Sequence, residues 1–192
     1  AKRDGGDYVV TGGKMWTTSG TQADWMCLLV NTSDGPPHKN KSLICLPMQT
    51  KGVNIARKLD KLGMRSSDTA QIFFEDVRVP VAHTLGDIGR GFQQQMMQFQ
   101  DERLIGCISS ISSSFHLWDE TRKWAEERVL FGKPLAKMQV TQFKFVEMLT
   151  QLTAARELYH ACIRKADSGE DATDLITIAK IFCGRTSRMV AD

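Results

Sequence analysis

Two rhythms of apolar and polar positions divide the chain. Up to about residue 80, short β-prone runs recur, each closed by turn residues. DYVVTGGKMWTTSG places a Gly-Gly turn between two such runs; DWMCLLVN, KSLICLPM, GVNIARKL and TAQIFFEDVRVP follow. SDGPPHKN, TKG and GMRSSD punctuate them with Gly, Pro, Asn and Asp. This spacing predicts a compact antiparallel β-domain, a small barrel or sandwich. Beyond Pro80 the stretch VAHTLGDIGRG reads as a loop, and from Phe92 the spacing turns helical. The pattern predicts a long helix from about Gly91 to Phe131, broken by FGKPLAKM. A second helix carries Val140, Phe143, Val146, Leu149 and Leu152 at every third position, a narrow stripe that drifts round the helix. ADSGEDAT makes a turn with Gly169 as helix stop, and a third helix begins near Thr173. A β-unit followed by an α-helical bundle is an α+β arrangement, with domains at 1–85 and 86–192.

The long helix has an unusual wheel. At about 100° per residue, Phe92, Met96 and Phe99 share one face, while Leu104, Ile108, Ile111 and Phe115 share another, which predicts a central place in the bundle. Glu102 and Arg103 interrupt this apolar run within QFQDERLIG. Arg103 lies in line with the first stripe. Glu102 lies in line with Gly106, Ser109 and Ser113, all small. Two readings stand side by side. The small residues let another helix approach closely while Glu102 pairs with a neighbouring Arg. Alternatively, they leave a thin slot with a carboxylate at its edge, where a dry setting raises proton affinity and suits a general base.

Composition narrows the function classes. Net charge is +3 over 192 residues and no Lys/Arg run stands out, so there is no electrostatic footprint for nucleic acid or a membrane surface. Cys27, Cys45, Cys107, Cys162 and Cys183 are widely spaced, without a C-x-x-C pair. They read as reduced, buried thiols. His38, His83, His116 and His160 lack metal-ligand spacing. No apolar stretch reaches the ~18 residues of a transmembrane helix. The chain starts at Ala1 and stops at Asp192 within a helical pattern, as a piece from the middle of a longer protein would.

Three further segments carry possible chemistry. KMWTTSG sets Trp16 beside Thr17 and Thr18. That is an ordinary strand composition, but also a planar side chain and hydroxyls able to stack on and bond a heterocycle. GDIGRGF lacks the G-x-G-x-x-G spacing, a βαβ setting and a following Gly-Lys-Ser/Thr, so it reads as a helix entry turn. EERVLFGKPLAKMQ holds Arg128, Phe131, Gly132 and Gln139. This is either a solvated helix end and loop, or a guanidinium and an amide placed to clamp phosphates or a ring.

GGKMWTTSGTQADWMCLLV, KLGMRSSDTAQIFFEDVRVP, GRGF, ERL and ERVLFGKPLAKMQ occur in one order. Together they resemble the acyl-CoA dehydrogenase family over nearly the whole chain: the end of its middle β-domain and the start of its C-terminal helical domain. The resemblance implies FAD as cofactor and oxidation of an acyl-CoA thioester to trans-2-enoyl-CoA, as in fatty-acid β-oxidation. In that chemistry a glutamate removes the α-proton, hydride leaves the β-carbon for flavin N5, and hydrogen bonds polarise the carbonyl. It implies an electron-transfer flavoprotein as electron acceptor and a homotetramer. It also implies the mitochondrial matrix in a eukaryote, or the cytoplasm in a bacterium.

Position by position, Trp16, Thr17 and Thr18 match the W-I-T stretch that lines the flavin ring, with Thr where the family usually has Ile. Arg128 and Gln139 match residues that hold the pyrophosphate and adenosine part of FAD across a subunit interface. Gln100, Asp101 and Arg103 match the helix segment that touches the substrate; no role carries over to Gln93. Most members place the base in a C-terminal Y-E-G-T motif, and this chain ends before it. The branch resembling isovaleryl- and long-chain acyl-CoA dehydrogenases places it on the helix, which implies Glu102. An acyl-CoA oxidase-like flavoprotein and a non-catalytic assembly partner are the alternative functions.

Overall fold

The computed structural model describes all 192 residues, Ala1–Asp192. It divides into two compact units, Ala1–Met96 and Met97–Asp192. The first holds β1 (Lys2–Asp4), β2 (Asp7–Thr18), β3 (Trp25–Asn31), β4 (Lys41–Pro47), β5 (Val53–Lys58), β6 (Thr69–Pro80) and β7 (Thr84–Leu85). One sheet has the order β1-β2-β6-β5 and another the order β3-β4-β7. All pairings in both are antiparallel. Inward residues of both form one core: Tyr8, Val10, Ile72, Phe74, Val77 and Val79 from the first, and Met26, Leu28, Ile44 and Leu46 from the second.

The alternation along β6 explains how this core closes. Ile72 and Phe74 are buried, then the apolar period slips by one to Val77 and Val79. An uninterrupted strand would turn the second pair outward. The register against β2 shifts between Val10 and Gly12 instead. The extra residue includes Asp76 at φ 50, held by the Thr11 hydroxyl donating to its Oδ1 at 2.9 Å. This bulge returns both apolar pairs to the same face.

The entry turn read from GDIGRGF is present, and it needs a glycine at its end. A Cβ on Gly91 would lie 2.6 Å from the Leu43 backbone nitrogen. The Gly89 N–H donates to the buried Ser42 hydroxyl at 2.9 Å, which is itself bonded to Thr32 Oγ1 at 2.7 Å. A bare backbone is therefore required where the helix starts against β4.

The second unit is helical: α1 (Gly91–Glu127), whose first turns count with the first unit, then α2 (Gln139–Asp167) and α3 (Thr173–Ala191). The long helix ends at Glu127 rather than near Phe131. VLFGKP forms a hairpin instead, with β8 (Val129–Leu130) paired to β9 (Lys133–Pro134) around Phe131 and Gly132. The core is built mainly of small residues: Cys107, Ala155, Cys162, Ala172, Ala179 and Cys183, with Ile111 and Ile176. Small side chains let the axes of α2 and α3 come close, so packing between these two helices works by backbone approach. No helix is long and apolar enough to cross a membrane.

Three expectations change. α1 buries only its second face: Leu104 and Phe115 pack on the helical core with Cys107 and Ile111, while Phe92, Met96 and Phe99 are half-buried. In α2, Val140, Phe143 and Val146 are exposed and only Leu152 of the stripe is fully buried. At about 100° per residue, Val140 and Leu152 point about 120° apart, so one neighbouring helix cannot cover both. Finally, all five cysteines are free thiols, but Cys27 is exposed and Cys45 half-buried, because both occupy outward positions of β3 and β4.

Candidate active site

Glu102 lies on an exposed lane of α1 with Gly106, Ser109 and Ser113, all exposed. The dry slot expected around Glu102 is therefore not formed by these residues: the lane opens to solvent, and apart from the helix's own backbone nothing stands within 4 Å of a Cβ built on Gly106. Gln98 Nε2 donates to Glu102 Oε1 at 3.0 Å, one turn earlier on the same helix. A depression of about 440 Å³ is lined by Phe99, Glu102, Arg103, Gly106 and Lys180. The structure thus brings Glu102 and Arg103 together over a small floor. It adds Lys180 from α3, which the chain pattern alone did not single out. Its position on the exposed face of a distant helix gave no sequence signal. Two cations bordering one carboxylate make a surface suited to an anionic or strongly polarised group.

Gln100 and Asp101 do not line this depression. On the wheel Gln100 points about 160° from Glu102. Its Oε1 is shut from water without a hydrogen-bond donor, whereas Asp101 is exposed.

In the first unit, Met15 and Trp16 lack cross-strand partners, because the β2–β6 register shifts between Lys14 and Thr17. Trp16 sits at φ 63 and is 67% exposed. Left-handed backbone costs a bulky residue about 1 kcal/mol or more, and an exposed indole recovers little of that by packing. The turn that follows β2 is pinned by Asp68, which is 4% exposed. Asp68 Oδ2 accepts from the Thr21 N–H at 2.8 Å and the Thr21 hydroxyl at 2.7 Å, and Oδ1 accepts from Gln22 Nε2. The Ser19 N–H donates to the Asp68 carbonyl at 3.1 Å. The Thr21 hydroxyl and backbone N–H hold the Asp68 carboxyl below its ordinary range. Asp68 was missed in the sequence because its partners lie 46 and 47 residues away.

The hairpin of the second unit repeats the theme. Phe131 is at φ 52 and Gly132 at φ 77, the two central positions of a turn with both residues left-handed. Phe131 is 96% exposed. The hairpin base is closed by the Leu135 N–H donating to the Arg128 carbonyl at 2.7 Å. Arg128 and Gln139 are exposed. The signal for this element was the Phe-Gly pair between Val-Leu and Lys-Pro, which reads equally well as a helix stop.

In the first unit Trp16 offers an uncovered planar face able to stack on a flat ring. In the second, Arg128 and Gln139 offer a guanidinium and an amide to oxygen acceptors such as phosphates. Thr17 is half-buried and Thr18 exposed at the end of the same strand.

The chain is thus a two-sheet β-unit joined in sequence to a helical unit, each presenting an exposed aromatic on left-handed backbone. Residues 1–77 match the description "Acyl-CoA dehydrogenase, middle domain" and residues 89–192 match "Acyl-CoA dehydrogenase, C-terminal domain". The chain belongs to the acyl-CoA dehydrogenase family. It is 31% identical over 193 aligned positions to the mitochondrial long-chain specific acyl-CoA dehydrogenase of Sus scrofa, covering 100% of this chain and 45% of that protein. A probable acyl-CoA dehydrogenase of Mycobacterium abscessus superposes with a TM-score of 0.96 at 36% identity, covering 98% of this chain and 50% of the other. The butyryl-CoA dehydrogenase of Megasphaera elsdenii gives a TM-score of 0.91 at 28% identity, covering 96% and 49%. The chain spans about half the length of the relatives it matches.

Proposed function

We propose that the protein is an FAD-dependent acyl-CoA dehydrogenase in which Glu102 is the base. The observation that carries this is Glu102 on a lane of small residues, facing a depression bordered by Arg103 and Lys180, in a chain of this family. When bound, FAD takes up the two electrons released at the substrate β-carbon. Glu102 receives the α-proton. Its Oε1 is engaged by Gln98, which orients the carboxylate and leaves Oε2 to the substrate. Gly106, Ser109 and Ser113 leave room for a thin acyl chain along the helix. Arg103 fixes the carboxylate and thioester end. Trp16, Thr17 and Thr18 seat the flavin ring, with Asp68 holding the turn that follows them. Arg128 and Gln139 bind the pyrophosphate and adenosine part, supplied across an interface in a homotetramer. Gln100 and Asp101 fall on other sides of this helix than Glu102, so their contacts with the substrate are made away from the reacting carbons. An electron-transfer flavoprotein is the acceptor, and in a eukaryote the compartment is the mitochondrial matrix.

The test is Glu102→Gln in the full-length protein, followed by flavin bleaching with acyl-CoA. The amide keeps the shape and cannot take a proton, so reduction falls about a thousandfold or more while FAD stays bound. Near-normal bleaching overturns Glu102 as base. Protein that binds no FAD, even unsubstituted, overturns the flavoenzyme reading itself.

A further inference from the structure

We propose that Cys27 and Cys45 form a dithiol site that reacts with low-molecular-weight disulfides, such as glutathione disulfide, and closes into a cross-strand disulfide between β3 and β4. The two residues are directly opposite in the antiparallel register. Which kind of pair they form follows from the hydrogen bonds at both ends of the ladder. The Met48 N–H donates to the Asp24 carbonyl at 2.8 Å, and the Thr32 N–H to the Asn40 carbonyl at 2.8 Å. Asp24/Met48 and Thr32/Asn40 are therefore hydrogen-bonded positions, and these alternate with non-hydrogen-bonded ones. Counting inward from either end puts Cys27/Cys45 on a non-hydrogen-bonded pair. Pro47, opposite Trp25, falls in the same class, where its missing N–H costs nothing.

Non-hydrogen-bonded pairs bring Cα atoms to about 4.5 Å, with side chains nearest each other. Disulfides span Cα separations of about 4.4–6.8 Å, so the bond closes without moving the strands. Both side chains point out of the sandwich, since Met26, Leu28, Ile44 and Leu46 are the residues that fill its core.

Exposure divides the roles. Cys27 is exposed and Cys45 half-buried, so Cys27 meets the reagent and Cys45 resolves the product. In the first step the Cys27 thiolate attacks one sulfur of glutathione disulfide; a mixed disulfide forms and one glutathione thiolate leaves. In the second, the Cys45 thiolate attacks the Cys27 sulfur and expels the second glutathione thiolate. Two protein thiols are oxidised, one glutathione disulfide is reduced to two glutathiones, and the protons pass to these. Partial burial, then Cys45, push the Cys27 thiol up, so the reaction is driven by the placement of Cys45 and not by an acidic thiol. His83 Nδ1, 3.2 Å from the Cys45 carbonyl oxygen, braces the strand beside it. Cys107, Cys162 and Cys183 serve as internal controls. All three are buried in the helical core, and burial pushes Cys183 up to about 12.

The experiment treats the folded full-length protein with glutathione disulfide, blocks remaining thiols and maps the peptides by mass spectrometry. We expect a Cys27–Cys45 linked peptide lacking two hydrogens, reversed by dithiothreitol. Cys45→Ser should stop at one glutathione on Cys27, and Cys27→Ser should remain unlinked. Glutathione retained on Cys27 of the unsubstituted protein without linkage overturns the proposal, as does linkage of any other pair or no reaction. The unsubstituted arm decides the matter even where a serine variant folds poorly.

Discussion

The two units bury their apolar surface by opposite means. In Ala1–Met96, large side chains from two sheets meet: Leu28, Ile44, Leu46, Ile72 and Val77 are at 1% exposure or less. In Met97–Asp192 the buried positions are mostly Ala and Cys, while Val140, Phe143 and Val146 stand outside at 63–64%. The first unit is filled by volume, and the second, between α2 and α3, by close approach of backbones. The first should therefore be sensitive to deletion of side-chain atoms and the second to their addition.

Deletion gives the largest effect. Ile72→Ala removes a fully buried side chain from a sheet interior and leaves a cavity, costing about 3–4 kcal/mol in urea unfolding of the full protein. A loss below about 1 kcal/mol would mean that the sandwich collapses onto the gap, and the contrast would fail. Addition comes next. Ala179→Leu inserts a branched side chain where Ala155, Cys162 and Cys183 crowd α3, costing about 2 kcal/mol by overpacking. The same measurement on Ile72→Leu, which conserves volume, should stay under about 1.5 kcal/mol.

The same contrast explains what the sequence made legible. Sheet residues alternate, so the β-unit, its turns and the helix entry at Gly91 could be read directly from spacing. The bulges could not: Asp76 is a turn-forming residue but sits inside a continuous strand pattern, Trp16 is not one, and their left-handed backbones arise from pairing between strands far apart in the chain. Glu102 was visible because charge in an apolar helical run is rare. Lys180 and Asp68 were not, because each acts on residues brought near only by folding. The stripe Val140–Leu152 was legible as a pattern but not as a burial, since the pattern does not say which turns find a partner. Gln100 and Glu102, two positions apart in one motif, face nearly opposite ways on their helix.

Strain offers a smaller effect, shared by both units. Trp16 and Phe131 are exposed aromatics held at φ 63 and φ 52. Glycine removes the steric conflict at such positions but adds chain entropy to the unfolded state. The net gain for Trp16→Gly or Phe131→Gly is about 0.5–1 kcal/mol. If these aromatics are kept for the cofactor, each variant melts higher without FAD and binds FAD less tightly. A variant that melts lower without FAD would show that the side chain is structural, and would separate that unit from the other.

The last difference is read as a slope with pH. Asp68 joins segments 46 and 47 residues apart, whereas Asp119 bonds Arg122 and Lys123 within a turn of its own helix. Both carboxyls are held below their ordinary range, Asp68 first by the Thr21 hydroxyl and Asp119 first by Lys123. A depressed carboxyl stabilises the folded state above its unfolded pKa, and that contribution is lost as pH falls through the folded value. The window therefore opens near about pH 4 and extends downward. Unprotected by burial, the Asp119 pairs are screened by salt and survive in locally helical unfolded chain, so little of their shift reaches stability. Asp68→Asn should lower stability at about pH 7, and its deficit against the unsubstituted protein should shrink as pH falls below about 4. Asp119→Asn should track the unsubstituted protein throughout. Parallel acid limbs for Asp68→Asn and the unsubstituted protein would mean that the Thr21 and Gln22 contacts carry no net proton linkage, and that the turn after β2 is held by its backbone alone.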